Sequence, residues 1–203
     1  MMELDHIAVA GTDLATAVAC CEAALGVPMG PGGRHARYGT HNRLIGLAPR
    51  LYLEAIAIDP DAPPPPDARW FGLDDFSGPA RLDKWICRVP DIDAAIAALP
   101  VAGRRVDLER DGLRWSMAVP EDGRLPFDGL FPALIQWHVP SPPGQSLPPS
   151  GLTLTCLTVA HPEAAALEAL LAPHLQAPLV RFEPADSPRL SAEMTGPEGA
   201  IRL

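Results

Sequence analysis

A phrase that occurs twice constrains this chain more than any other feature. The first copy reads LDHIAVAGTDLATAVACCEAALG from Leu4, and the second reads LDKWICRVPDIDAAIAALP from Leu82. Each opens Leu-Asp, passes through a short apolar strand to an acidic helix cap, and continues as an amphipathic helix. A repeat of this length signals a fold built by duplication, in which equivalent positions of the two copies can be read as pairs. In the first copy, the near-continuous apolar run Glu3–Ala10 reads as a buried strand. Thr12 or Asp13 can cap the next helix, Leu14, Val18, Cys21 and Leu25 share one face of it, and Gly26 suits a left-handed stop. Strands are expected at 34–38, 42–47 and 50–58, the last two joined by a turn at Ala48-Pro49. The second copy repeats this order: a strand at 82–89, a helix from Asp91 with Ile92, Ile96 and Leu99 inward and Pro100 as its stop, then strands at 104–110, 113–119 and 133–139.

Two proline-rich stretches punctuate the chain. Residues 59–81 contain Pro63 to Pro66 in a row, which cannot donate to a ladder, followed by Trp70, Phe71 and Phe76, aromatics that should pack down. Residues 141–150 form a second linker. Beyond it GLTLTCLTVAHPEAAALEALL is a shorter echo, with a helix start at His161-Pro162, Leu167, Leu170 and Leu171 inward, and strands at 179–183, 189–194 and 200–203. At this size it should pack on the main body or on a partner subunit. The expected architecture is α+β, with tandem βαβββ units forming curled mixed sheets around a shared cavity. Its parts are a first unit (1–58), a linker (59–81), a second unit (82–140), a linker (141–150) and a partial third unit (151–203).

The formal net charge of −9, with no basic run, argues against nucleic acid. No stretch is apolar enough for a bilayer span, and no basic-then-apolar leader opens the chain. Four cysteines without C-x-x-C spacing predict reduced thiols and a cytoplasmic protein.

Aligning the copies on Leu-Asp pairs His6 with Lys84, and aligning LYLEAIAI with ALIQWHVP pairs Glu54 with Gln136. If the sheets close around one hollow, these four side chains converge there. His, Glu and Gln are nitrogen and oxygen donors suited to a divalent first-row metal, whereas a charged lysine has no lone pair. Glu54 interrupts an apolar strand, where an unpaired charge would be costly.

The LDHIAVAGTDL opening, the Leu25-Gly26 helix end, the tandem units and the LYLEAIA strand resemble the vicinal-oxygen-chelate superfamily. GTHNRLIGL and LIQWHVP resemble its glyoxalase-like branch. The resemblance covers roughly 3–140. It implies a metal (zinc, nickel, manganese or iron) held by His6, Glu54 and Gln136, and a lyase or isomerase acting on a substrate with vicinal oxygens, and it allows a homodimer. Lys84 departs from the pattern, since histidine is common there. Its ammonium can instead replace the metal and pair with Glu54, or anchor a substrate carboxylate, giving a metal-free small-molecule binding protein. Glu54 and Lys84 are therefore the candidate catalytic pair. His41, Asn42, Trp115 and His138 are candidate ligand contacts, each with an ordinary turn, core or surface role as the alternative. Arg34, His35, Arg37 and Arg43 make the first sheet locally basic, which suits either an anionic ligand or a solvated face.

Overall fold

The computed structural model describes residues 1–48 and 50–203; the turn expected at Ala48-Pro49 lies partly outside the described residues at Pro49. The elements run β1 (Glu3–Ala10), α1 (Leu14–Leu25), β2 (Arg34–His35), β3 (Thr40–Leu47), β4 (Leu51–Ile58), β5 (Arg81–Arg88), α2 (Ile92–Ala98), β6 (Arg104–Arg110), β7 (Leu113–Val119), β8 (Ala133–Trp137), the short α3 (Pro143–Ser146), β9 (Thr153–His161), α4 (Ala164–Leu171), β10 (Val180–Pro184), β11 (Arg189–Gly196) and β12 (Gly199–Arg202).

The duplication is visible in the strand order. One eight-stranded sheet runs β2-β3-β4-β1-β5-β8-β7-β6, its two halves mirrored about the β1–β5 junction. Within each half the first strand pairs in parallel with the last, β1 with β4 and β5 with β8, while β1 and β5 pair antiparallel. The junction strands are buried almost throughout, which explains their unbroken apolar runs. Curling brings the two edges of the sheet together, and the tip of the β6–β7 hairpin reaches the β2–β3 edge, where Arg110 binds His35 and Asn42.

Local chemistry sets the helix ends. Asp13 accepts from Thr16 N–H at 2.8 Å at the start of α1, and Gly26, at φ +69°, closes it. Asp91 does the same for α2 through Asp93 and Ala94 N–H. The strand expected at 34–38 is only two residues long, and 133–139 is strand only to Trp137.

The third segment keeps the βαβββ element sequence but pairs as β10-β9-β11-β12, so β9 lies between its next two strands. It covers the back of the main sheet, where Trp85 meets Phe182 edge-on and donates to Leu130 C=O at 2.8 Å. His161 ends β9 and its Nδ1 accepts from Glu163 N–H; α4 begins only at Ala164. Ala164, Leu167 and Leu171 face inward, whereas Leu170, expected inside, is exposed. The proline-bearing segment is not a bare tether. Trp70 to Asp75 form tight turns that bury Trp70, Phe71 and Leu73 against the main sheet.

Candidate active site

His6 lies at the centre of the sheet, flanked by Tyr52 of β4 and Ile86 of β5. A register shift against β5 between Leu4 and His6 places an irregularity at Asp5. In a regular strand neighbouring side chains point to opposite faces. The irregularity removes that restriction, and the Asp5 carboxylate accepts from His6 Nδ1 at 2.7 Å. The second Asp5 oxygen accepts from Trp137 Nε1 at 3.2 Å. With Nδ1 donating to Asp5, the neutral ring presents Nε2 as an acceptor. Nε2 stands 3.7 Å from Glu54 Oε2, and Tyr52 stacks on the ring at 4.2 Å. Two acceptors therefore face each other with no protein donor between them.

The other Glu54 oxygen accepts from Asn42 Nδ2 at 2.5 Å. Asn42 is held in that orientation because its Oδ1 accepts from Gly33 N–H at 2.8 Å and from Arg110 at 3.1 Å. A side chain at Gly33 would strike the Arg110 side chain, so glycine is what admits the guanidinium here. Arg110 also donates to His35 Nε2 at 2.9 Å, and His35 Nδ1 bonds Thr40 at 3.0 Å. Burial, reinforced by the Arg110 charge, drives the His35 pKa down to about 3, so this imidazole is neutral. Burial likewise holds the Tyr52 phenol well above its ordinary value. Two buried donors in residues lining this cavity, Arg110 Nε and Trp70 Nε1, have no hydrogen-bond partner among the described residues; the nearest carboxylate to Arg110 Nε among them is Asp111 at 3.7 Å.

These groups surround a cavity of about 30 Å³, room for a water or two. Its far wall comes from the second unit and is carbon: Leu113, Trp115, Met117, Ile135 and Trp137.

Of the residues singled out from sequence, His6, Glu54, Asn42 and Trp115 line this cavity. Gln136 does not join them. It accepts from Ile92 N–H at 2.9 Å and donates to Pro90 C=O, behind the sheet at α2. The reason is register. Ala8, two residues past His6, pairs with Glu54, and Ile86, two past Lys84, pairs with Ala133. The true counterpart of Glu54 is therefore Ala133, and an offset of three residues turns Gln136 to the other face. Lys84 does not reach Glu54 either; it pairs with Asp83 and lines a separate chamber. His41 lies 3.9 Å from Asp59, and His138 bonds Ser116 at 2.7 Å in an outer groove. The basic group also divides: Arg34 pairs with Asp59 and Asp61 and Arg37 with Asp67, while His35 is inside the site. Sequence reading missed Asp5, Arg110, Tyr52, Trp70 and Phe71 as site residues. The adjacency of Asp5 to His6 was the only local signal for any of them.

The donor set does not fit a chelated divalent metal. Of the donors lining the cavity, His35 and Asn42 are committed to Arg110, which leaves His6 and Glu54; the second unit adds carbon and a guanidinium, and among the described residues no group of three or more His, Cys, Asp or Glu is arranged to hold an ion.

A mirrored pair of βαβββ halves curled around a hollow defines the vicinal-oxygen-chelate class. Within it, the family model described as "Glyoxalase-like domain" matches residues 4–175, and the chain belongs to that family. A solved structure titled as a hypothetical protein from Staphylococcus aureus is similar at TM-score 0.64 and 13% identity, covering 93% of this chain and 88% of that one. The methylmalonyl-CoA epimerase from Mycobacterium tuberculosis is similar at TM-score 0.44 and 19% identity, covering 66% and 85%. A search of the curated proteins finds no match. Among the described residues no helix is long and apolar enough to cross a membrane.

Proposed function

We propose that this chain binds a small oxygen-bearing molecule in the His6–Glu54 cavity without a metal. The observation that carries the reading is the pair of acceptors, His6 Nε2 and Glu54 Oε2, facing each other at 3.7 Å across from a wall of carbon side chains. Two ligand O–H donors, one to each acceptor, satisfy the pair. Ligand oxygens adjacent to them suit the unpartnered N–H groups of Trp70 and Arg110, because a buried donor without an acceptor costs roughly 1–3 kcal/mol. The apolar wall then takes the carbon body, the usual division of labour in a small-molecule pocket.

The line Asp5–His6–Glu54 favours a second reading, an isomerase or lyase that moves a proton. Asp5 orients the imidazole, and Nε2 or Glu54 takes the proton from a ligand carbon or hydroxyl. Arg110 and Trp70 stand where developing negative charge on oxygen is stabilised.

Elemental analysis and calorimetry test the metal-free claim. Protein purified without chelator should carry far less than one equivalent of metal and show no saturable micromolar binding of Zn²⁺, Ni²⁺ or Mn²⁺. Stoichiometric metal lost in both His6→Ala and Glu54→Ala would overturn it. For the proton-moving reading, small hydroxy-ketones and keto acids incubated in D₂O should exchange their α-protons with wild type and not with Glu54→Gln. Exchange that persists in Glu54→Gln would exclude Glu54 as the base.

A further inference from the structure

The inner cavity is too small for the ligand its chemistry calls for. At about 30 Å³ it holds water, whereas pockets for small organic molecules start at roughly 300 Å³. A second cavity of about 380 Å³ lies next to it, lined by Gly72, Asp75, Phe76, Arg81, Lys84 and Arg124 among others. One residue, Phe71, lines both. The repeat explains why the two are neighbours: Lys84 holds the place in the second unit that His6 holds in the first.

Phe71 is held in an unusual way. Its φ is +64°, in the left-handed region, and Gly72 follows at +66°. A bulky residue there costs on the order of 1–3 kcal/mol and persists only where its surroundings enforce it. Here stacking enforces it, with Phe71 on Trp70 at 5.0 Å and Trp70 on Tyr38 at 4.6 Å. The position of the ring therefore depends on those stacking contacts.

The outer chamber has a polarity of its own. Each of its carboxylates is already engaged: Asp83 by Arg81 and Lys84, Asp75 by Arg124, and Asp128 by His161. Lys84 is buried, and its ammonium gives hydrogen bonds only to Asp83, to the carboxylate and the main-chain oxygen, leaving one of its three N–H groups uncommitted. Gly129 keeps the space beside that ammonium clear, since a Cβ there would stand 3.1 Å from Nζ.

We infer that the two cavities are halves of one ligand site divided by the Phe71 ring, and that the ligand is an elongated molecule whose anionic group sits at Lys84 while its oxygen-bearing end lies between His6 and Glu54. The inference rests on the small-molecule reading of the inner cavity, and it assigns the ligand class and the route of entry. Lys84 is the specificity-determining residue of the outer half.

Charged thiol reagents test this without ligand, metal or activity. Met117 lines only the inner cavity, so Met117→Cys reports access to it. The parent without Met117→Cys carries the four native cysteines, and its labelling is subtracted. Adding Phe71→Gly, which keeps the left-handed backbone and removes the ring, should speed labelling by an anionic methanethiosulfonate at least tenfold. The anionic reagent should outpace its cationic analogue, and Lys84→Met should abolish that preference. Ile135→Cys serves as a second reporter, and thermal midpoints establish that each variant is folded. Labelling unchanged by Phe71→Gly in folded protein would overturn the route. A cationic reagent reacting as fast as the anionic one would overturn the ligand class. Neither result bears on metal content, so the metal-free reading stands or falls separately.

Discussion

Asn42 is the residue on which the polar half of the site turns. It accepts from Gly33 and Arg110 and donates to Glu54, so one short amide connects the first unit's edge, the second unit's hairpin and the central carboxylate. Asn42→Leu removes all three bonds; Arg110 keeps His35, whereas Gly33 N–H and Glu54 lose their Asn42 partner. We expect a loss of about 2–4 kcal/mol, at roughly 1–3 kcal/mol per orphaned group with partial relaxation, read as a lower urea midpoint at unchanged m-value. His35 gives the molecule a pH signature. Its pKa is near 3 when folded and near the ordinary 6.5 when unfolded, so the unfolded chain binds more protons in between. Stability contributed by neutral His35 is therefore full above pH 6.5 and is lost as pH falls toward 3. Between pH 6.5 and 5 the loss should reach roughly 2 kcal/mol, at about 1.4 kcal/mol per pH unit. His35→Gln should flatten that acid limb in thermal melts, and an unchanged slope would show that another group sets it.

At the scale of elements, the repeat made most of the fold legible. Helix caps at Asp13 and Asp91, the unbroken strands β1 and β5, and the βαβββ order all follow from patterns that local chemistry imposes. The site was legible only in its first half. His6 and Glu54 belong to β1 and β4, whose parallel register pairs His6 with Tyr52 and Ala8 with Glu54, so both side chains reach the same cavity from positions two residues apart. Gln136 was misplaced because a five-residue strand preceded by a long loop carries no marker of its register, and a displacement by an odd number reverses every side chain. The Asp5 irregularity and the crossing of Arg110 arise from pairing between distant strands, which no local window contains. The caps themselves predict a modest effect: Asp13→Ala should lower the melting temperature measurably, because the cap bond to Thr16 N–H is lost, and Asp13→Asn should restore most of it.

For the whole molecule, duplication set up two equivalent positions, and the sequence treats them differently. In the first unit the position of His6 has a carboxylate on each side; in the second, Lys84 faces Ala133's strand with no acidic counterpart to Glu54. The hollow is thus polar at one end and carbon along the second unit's wall, the outer chamber carries the Lys84 ammonium among paired charges, and Phe71 of the inter-unit connection lines both cavities. The third segment braces this arrangement from behind through Trp85 and Phe182. Trp85→Ala should therefore cost roughly 3–5 kcal/mol and loosen the central junction, measurable as faster amide exchange in β1 and β5.

The central claim is that His6 and Glu54 are shaped for a ligand's donor group and not for an ion. Its most direct test follows the His6 ring nitrogens by NMR while one equivalent of paramagnetic Co²⁺ is added at neutral pH. The account predicts that the His6 signals neither shift nor broaden beyond those of surface histidines such as His174. Selective loss or large displacement of the His6 signals, abolished by Glu54→Ala, would contradict it.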